Sequence, residues 1–417
     1  MVIRINKSNL LECAIILNTA YASYSTLCYS ILGESGILRT TLIVILMVLN
    51  IYAICKNAKG FNILLTILAI ICILFGGTYF FFSKNRLFIS GNIVDVIKFS
   101  ILAYFIAISP PEILHSGLKK AAYMILFCGL FEPFTLYVTG EHDGYMVYGM
   151  RILLATVLLE YCYFREKRKF HLFAAFVSVI LILLYGNRSS ILNTLICLII
   201  FYLIFGERKH RAIQYISITV LIIITVFLLA GDVLTMLSST LETMGISSRT
   251  LTLMVSGLEI ATDNNGRSII WGNCQKAISE SPWFGYGIGG DRNLFLLGSN
   301  YIHSGGGVYA HNFFYELLID FGIIIGTILL IIIFYVCFKT ILNKFDTPCK
   351  KLFIGLFAVT VIKLWVSSSI WTDMNTYLCL GVILNEFRYR KRIKKLNALP
   401  INFEGDYPFE NFSFKVY

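Results

Sequence analysis

Apolar residues run along this chain in long uninterrupted stretches, separated by short polar segments, and they do not alternate with polar residues. Each stretch is close to the roughly 20 residues a helix needs to cross about 30 Å of hydrocarbon. The pattern predicts spans at 9–31, 37–55, 61–82, 92–109, 121–139, 146–164, 171–187, 189–206, 212–231, 313–338, 352–370 and 374–387. Backbone amides cannot be left unpaired in lipid, and the alternation of barrel strands is missing, so these runs read as helices. The expected fold is all-α, a polytopic membrane bundle of about 12 transmembrane helices with one large outer loop. That loop covers 232–312, and most other connections are far shorter. Long loops in compact domains are usually functional. The expected organisation is therefore spans one to nine over 1–231, a loop with short helices over 232–312, and spans ten to twelve over 313–387. A cytoplasmic tail over 388–417, expected to be loosely ordered after Arg392, completes it. The stretch "SPPEILHSGLKK" at 109–120 reads as an inner loop.

Composition agrees with a lipid solvent, since the chain is 57% hydrophobic and only 14% charged. Charge then sets orientation. With the amino terminus inside, 24 of the 35 Lys and Arg residues fall on inner segments and 8 on outer ones, which places both ends on the cytoplasmic side. The net charge of +11 is thus mostly topogenic and gives no reason to expect nucleic acid as a partner. Met1 leads through a short polar start into a full-length first span, which is not the pattern of a cleavable signal peptide. Of the eleven cysteines only Cys274 falls in the large outer segment, and no CxxC occurs. The six histidines lack metal-ligand spacing, so no metal is expected.

The outer loop carries the sharper signals. In "DNNGRSIIWGNCQKAISESPWFGYGIGGDRN", Asp263 and Asn264 are cap residues and Ile269, Ile270, Cys274, Ala277 and Ile278 share a helical face. Ser281-Pro282 stops that helix, so Arg267 sits in its first turn. There it either holds phosphate at the positive dipole end or merely caps a solvated helix. Gly285, Gly287, Gly289 and Gly290 lack the strand and helix of a dinucleotide turn; they either let backbone approach a ligand or helix closely or simply form turns. In "LLYGNRSSILNTL" two spans are joined by almost nothing, so Arg188 lies at the edge of the hydrocarbon. An Arg at that depth costs about 2.5 to 3.5 kcal/mol, which argues for a cavity or partner charge, with interfacial snorkelling as the alternative. Arg151 is a weaker case of the same kind. Asn312 is a good cap for the tenth span and would set His311 against the dipole's positive end, favouring a neutral imidazole able to take a proton. The plainer alternative is an interfacial or capping histidine.

The order "GNRSS", then "GRSIIW" with "ISESPWFGYGIGG", then "YAHNFFYELLIDFGIIIG" resembles the signature region of the O-antigen polymerase and O-antigen ligase superfamily of bacterial envelope proteins. The resemblance runs from about Tyr185 to Gly326. It implies glycosyl transfer, at the periplasmic face of the inner membrane, from a glycan linked to undecaprenyl diphosphate, without metal, nucleotide or other cofactor. By likeness Arg188 and Arg267 would grip the diphosphate and His311 would act on the acceptor hydroxyl. Arg151, Arg249, Asn312, Glu316 and Tyr286 would then contribute to substrate binding. Glu316 and Asp320 would orient His311 or bind sugar hydroxyls, or else pair structurally with a residue such as Arg188. The implied partners are the lipid-linked oligosaccharide, the bilayer and a chain-length regulator. The HNxxxE form favours a polymerase over a ligase. A carrier is the reading from another class, because Glu12, Asp95, Lys98, Glu132, Glu160 and Lys363 sit in spans, although no internal repeat supports it.

Overall fold

The structure, a computed structural model, describes residues 7–33, 35–58, 60–139, 145–185, 188–205, 239–240, 243, 267–294, 309–343, 347–366 and 368–397. Its helices are α1 (Lys7–Thr19), α2 (Tyr21–Leu32), α3 (Gly36–Lys56), α4 (Phe61–Ile71), α5 (Gly77–Phe81), α6 (Arg86–Ile108), α7 (Pro111–Thr139) and α8 (Tyr145–Glu166). They continue with α9 (Lys169–Tyr185), α10 (Arg188–Phe205), α11 (Arg267–Glu280), α12 (Phe313–Ile341), α13 (Pro348–Val366) and α14 (Met374–Asn397). A π-helical turn, Cys72–Gly76, joins α4 to α5. Among the described residues there is no strand.

Among the described residues, five segments are long and apolar enough to cross a membrane: Gly36–Lys56, Phe61–Phe81, Ser83–Ile108, Val147–Glu166 and Phe313–Ile341. The all-helical membrane architecture stands, whereas the expected count of twelve does not carry over helix by helix. The first expected span is two helices that meet at Ala20, which leaves helical geometry with ψ near 1°. Downstream of it Thr26 and Ser30 return their hydroxyls to the carbonyls of Ala22 and Thr26, a back-bonding that bends helices. α9 and α10 are apolar but shorter, and the expected ninth span at 212–231 lies outside the described residues.

Two segments expected to be irregular are helical. α7 starts at Pro111, so most of 109–120 forms its first turns; a fixed φ and a missing N–H suit proline to the first helical position. Here α7 crosses α1 closely, because a Cβ on Gly117 would stand 3.1 Å from Ile15. α14 runs through the basic stretch to Asn397, beyond the expected boundary at 387. Lys and Arg are good helix formers, and Arg390 Nε donates to Glu386 Oε1 one turn back at 2.7 Å.

The core is one large apolar cluster around Tyr104, Phe105, Leu158, Phe201 and Phe353. Polar groups buried in it answer one another: Asn18 and Asn50 exchange amide hydrogen bonds of 2.7 and 3.0 Å and so tie α1 to α3. α6 and α14 run parallel, with Phe99 against Tyr377 and, further along both, Arg388 Nη1 donating to the Ala107 carbonyl. This gives the bundle two ends. At one, Arg388, Arg390, Lys119 and their partners Glu386 and Glu166 gather. At the other, the starts of α6, α12 and α14 meet residues 281–294.

Candidate active site

The site begins with a break in α12. Gly322 has φ 73° and ψ 175°, so the helix loses its regular ladder there. The segment after α11 fills the gap with its own backbone. Tyr286 N–H donates to the Ile319 carbonyl at 2.8 Å and Gly287 N–H to the Asp320 carbonyl at 2.9 Å, while the Pro282 carbonyl accepts from Ile323 N–H at 2.7 Å. Non-helical backbone at membrane depth is tolerated where protein satisfies it in this way. The approach leaves no room for side chains. A Cβ on Gly285 would lie 2.4 Å from the Ile319 carbonyl oxygen, and one on Gly322 would lie 2.6 Å from Trp283 backbone. Close approach to a helix is therefore what Gly285 provides, with φ at 65°.

α11 holds this segment in place. Ser281-Pro282 ends the helix as the sequence indicates, and Ile270, Cys274 and Ala277 are buried against Ala310 and Ile319, with Ile278 packed beside them. Ile269 departs from the expected face: it is 58% exposed, because it stands at the margin of the stripe. Burial, with a smaller contribution from Asp291, pushes the Cys274 thiol up to about 12, which disfavours its thiolate at neutral pH. From the other side Asn85 clips the loop, its amide donating to the carbonyls of Tyr286 at 2.7 Å and Ile288 at 3.2 Å. Its carbonyl accepts from Asn293 at 2.7 Å.

Beneath the loop lies a buried charged floor. Arg292, its side chain only 11% exposed, pairs with Asp291 at 2.5 Å and with Glu316 at 3.5 Å. Its guanidinium also lies over Phe88 at 4.1 Å and faces Tyr309 at 5.4 Å. Burial opposes the charge of Arg292, but Asp291, Glu316 and Asp320 outweigh that effect and raise its pKa above the ordinary arginine value. The second oxygen of Asp291 accepts from Ala310 N–H at 2.9 Å, which fixes the chain just before α12. The segment Ser368–Asp373, between α13 and α14, straps over the two α12 carboxylates. Ser369 Oγ and Ile370 N–H donate to Glu316, the latter at 2.9 Å, and Trp371 Nε1 donates to Asp320 Oδ2 at 2.7 Å. Among the described residues Asp320 Oδ1 has no hydrogen-bond partner. Lys363 and Asp373 pair at 2.5 Å at the ends of the strap.

His311 stands on this floor. Its ring lies tilted against Tyr309 with centroids 3.8 Å apart and planes 36° apart, and Tyr309 in turn faces Arg292. Its backbone has φ 51°, a left-handed conformation that costs a non-glycine residue on the order of 1 to 2 kcal/mol and persists only where surroundings impose it. Asn312 caps α12 as expected, its side chain accepting from Phe314 N–H at 2.9 Å. His311, Asn312, Tyr286 and Glu316 thus belong to one assembly. Arg151 does not join it among the described contacts. It is held between α2, α7 and α8 by Glu132, Thr26 and the Ala22 carbonyl. Arg188 and Arg267 are the first residues of α10 and α11, but their side chains lie outside the described residues, and Arg249 lies outside them altogether. The cation beside Glu316 is Arg292, which no motif in the sequence singles out. Two carboxylates one turn apart inside a span were the signal for such a cation.

Residues 173–331 match the family described as O-antigen ligase. That match supports a likeness to the O-antigen ligase and polymerase superfamily over this stretch. A search of curated proteins found no match. The matched stretch covers less than half of the chain and runs from α9 into α12, so it contains the loop, Arg292, His311 and both α12 carboxylates. Asn85, Phe88 and the strap with Trp371 fall outside it, which makes the flanking helices part of the site's construction. Among the described residues the apolar helices are suited to a membrane, and over residues 173–331 the chain is similar to the O-antigen ligase family.

Proposed function

We propose that the protein is an O-antigen polymerase, transferring a glycan from undecaprenyl diphosphate onto the next lipid-linked repeat unit at the periplasmic face of the inner membrane. The observation that carries this reading is His311, held in a left-handed backbone at the cap of α12, inside the family-matched segment and over the Asp291–Arg292 pair. A neutral imidazole so placed takes the proton of the acceptor hydroxyl as that oxygen attacks C1 of the donor sugar. The C1–O bond to the lipid diphosphate breaks, and the leaving diphosphate keeps the electron pair. Arg188 and Arg267, each at a helix start where the dipole favours an anion, stabilise the charge that develops on it. Arg292 positions rather than reacts in this reading, its Nη1 facing Asp291 and Glu316 and its guanidinium lying over Phe88 and Tyr309. Transfer draws its energy from the donor linkage and uses neither cofactor nor metal.

Basic residues gather at the opposite bundle end, which supports a cytoplasmic placement of that end and a periplasmic one for the site. A carrier relay has less support, since Glu12 pairs with Lys120, Asp95 with Lys98, Glu132 with Arg151 and Lys363 with Asp373. The matched family's own description favours a ligase that moves finished glycan to lipid A-core, and a deletion strain separates the two. A gel of its surface polysaccharide showing cores with a single repeat identifies a lost polymerase. Bare cores with long lipid-linked chains retained identify a lost ligase. In the same assay His311→Ala is expected to abolish long-chain polymer with membrane levels of the protein unchanged, and full-length polymer from that variant removes His311 from the mechanism.

A further inference from the structure

At the bundle end opposite the site, one corner gathers cations from α7 and from the turn between α8 and α9. Glu166 is the carboxylate at its centre. Lys119 Nζ lies 2.7 Å and His115 Nε2 2.6 Å from one of its oxygens, and His171 Nε2 lies 2.9 Å and Arg168 Nε 3.7 Å from the other. Lys120 is answered by Glu12 at 2.8 Å. Lys167 and Lys169 are exposed, and among the described residues neither has a carboxylate partner. Lys167 also has φ 58°, a left-handed position after a helix that usually falls to glycine, so a cation is kept where the backbone favours no side chain. Glu166 thus faces more positive charge than it neutralises, and the corner suits an anion.

The same corner continues into an aromatic face. Lys119, Tyr123, Phe127 and Phe131 recur every fourth residue and so share one side of α7. The Tyr123 hydroxyl pairs with His171 Nδ1 at 2.6 Å, and its ring stacks on Phe170 with centroids 5.9 Å apart, which joins that side of α7 to the start of α9. Phe127 and Phe131 of α7 and Phe170 and Phe173 of α9 are all exposed. Cations at the helix ends with apolar rings directly below them match the two parts of an anionic lipid. A free anion would use the cations and leave the rings unexplained. Lys119, Glu166, Arg168 and His171 lie outside residues 173–331, so the corner is not part of the family-matched stretch.

We propose that this corner binds the headgroup phosphate of an anionic glycerophospholipid, with Lys119 and Arg168 holding the phosphate and the aromatic face of α7 and α9 lying under the acyl chains. The test titrates the purified full chain in detergent with dioleoyl phosphatidylglycerol and, separately, with dioleoyl phosphatidylcholine, and reads bound lipid by native mass spectrometry. Wild type is expected to bind phosphatidylglycerol about tenfold more tightly, since the acyl chains are identical and only the net headgroup charge differs. Lys119→Gln with Arg168→Gln is expected to weaken phosphatidylglycerol binding about thirtyfold, the effect of two cations near a headgroup. Arg168→Gln with Lys169→Gln changes exposed side chains only and leaves Lys119, His115 and His171 on Glu166. It is expected to weaken binding about tenfold, and it decides the matter if the first variant does not fold. Lys391→Gln with Arg392→Gln removes two exposed cations from α14 at the same bundle end and is expected to change nothing. Equal binding of the two lipids, wild-type affinity in Arg168→Gln with Lys169→Gln, or an equal loss in the α14 variant overturns the proposal and leaves these cations as diffuse surface charge. Displacement of phosphatidylglycerol by inorganic phosphate also overturns it, in favour of a site for a free anion. Glycan transfer is not the readout, so failure of the transferase reading leaves this result untouched.

Discussion

Arg292→Leu is expected to abolish glycan transfer and to destabilise the protein by about 3 to 5 kcal/mol, the usual cost of leaving a buried charge without its partner. The side chain removed is the cation of a floor that holds Asp291, Glu316 and Asp320, all essentially inaccessible to water. Asp291 in turn fixes the Ala310 amide, and the guanidinium faces the ring against which His311 lies. Loss of Arg292 therefore propagates to the imidazole through two residues. Arg292→Lys separates the two consequences. It restores a charge, and with it most of the stability, but not the guanidinium over Phe88 and Tyr309, so transfer is expected to stay well below wild type. Thermal unfolding of the protein in detergent, read beside polymer formation, measures both. An Arg292→Leu protein with unchanged melting temperature and normal polymer would show that the floor is dispensable.

The second large effect is expected at Gly285. Alanine there brings a Cβ to within 2.4 Å of the Ile319 carbonyl oxygen at a backbone φ of 65°. Overpacking and left-handed strain together amount to about 2 to 5 kcal/mol, and neither the loop nor the broken helix has a simple way to move. The hydrogen bonds from Tyr286 and Gly287 to α12 must then lengthen. Loss of transfer is expected even where the protein still inserts, because the same loop carries Asp291 and Arg292. Gly272→Ala, in open surroundings within α11, is the control and is expected to be neutral or to stabilise by up to about 1 kcal/mol. If Gly285→Ala melts and transfers like the control, the close docking of the loop on α12 is wrong.

These effects also show what the sequence can and cannot reveal. Long apolar runs disclosed the helices because lipid demands them, and Asn312 and Ser281-Pro282 disclosed helix ends because caps and stops are local chemistry. The break in α12 was hidden. Gly322 sits among isoleucines and phenylalanine in a run that reads as one continuous span, and the backbone that mends the break comes from about 40 residues earlier. Arg292 was hidden for the same reason, since its neighbours Phe88, Tyr309 and Glu316 are distant in the chain. The strap is harder still: nothing in "SSSIWTDMN" indicates that Ser369, Ile370 and Trp371 reach two carboxylates on α12. Pro111 is a readable start signal for α7, which takes in most of the stretch 109–120 expected to be an inner loop.

The most direct test is transfer by the purified protein in nanodiscs, supplied only with lipid-linked repeat units, with no ion gradient, no nucleotide and a chelator present. Stepwise lengthening of the lipid-linked glycan by wild type, and none by His311→Ala folded to the same melting temperature, is the expected result. Unchanged repeat units with wild type, or equal lengthening by both proteins, would contradict a histidine-dependent transferase built on the Asp291–Arg292 floor.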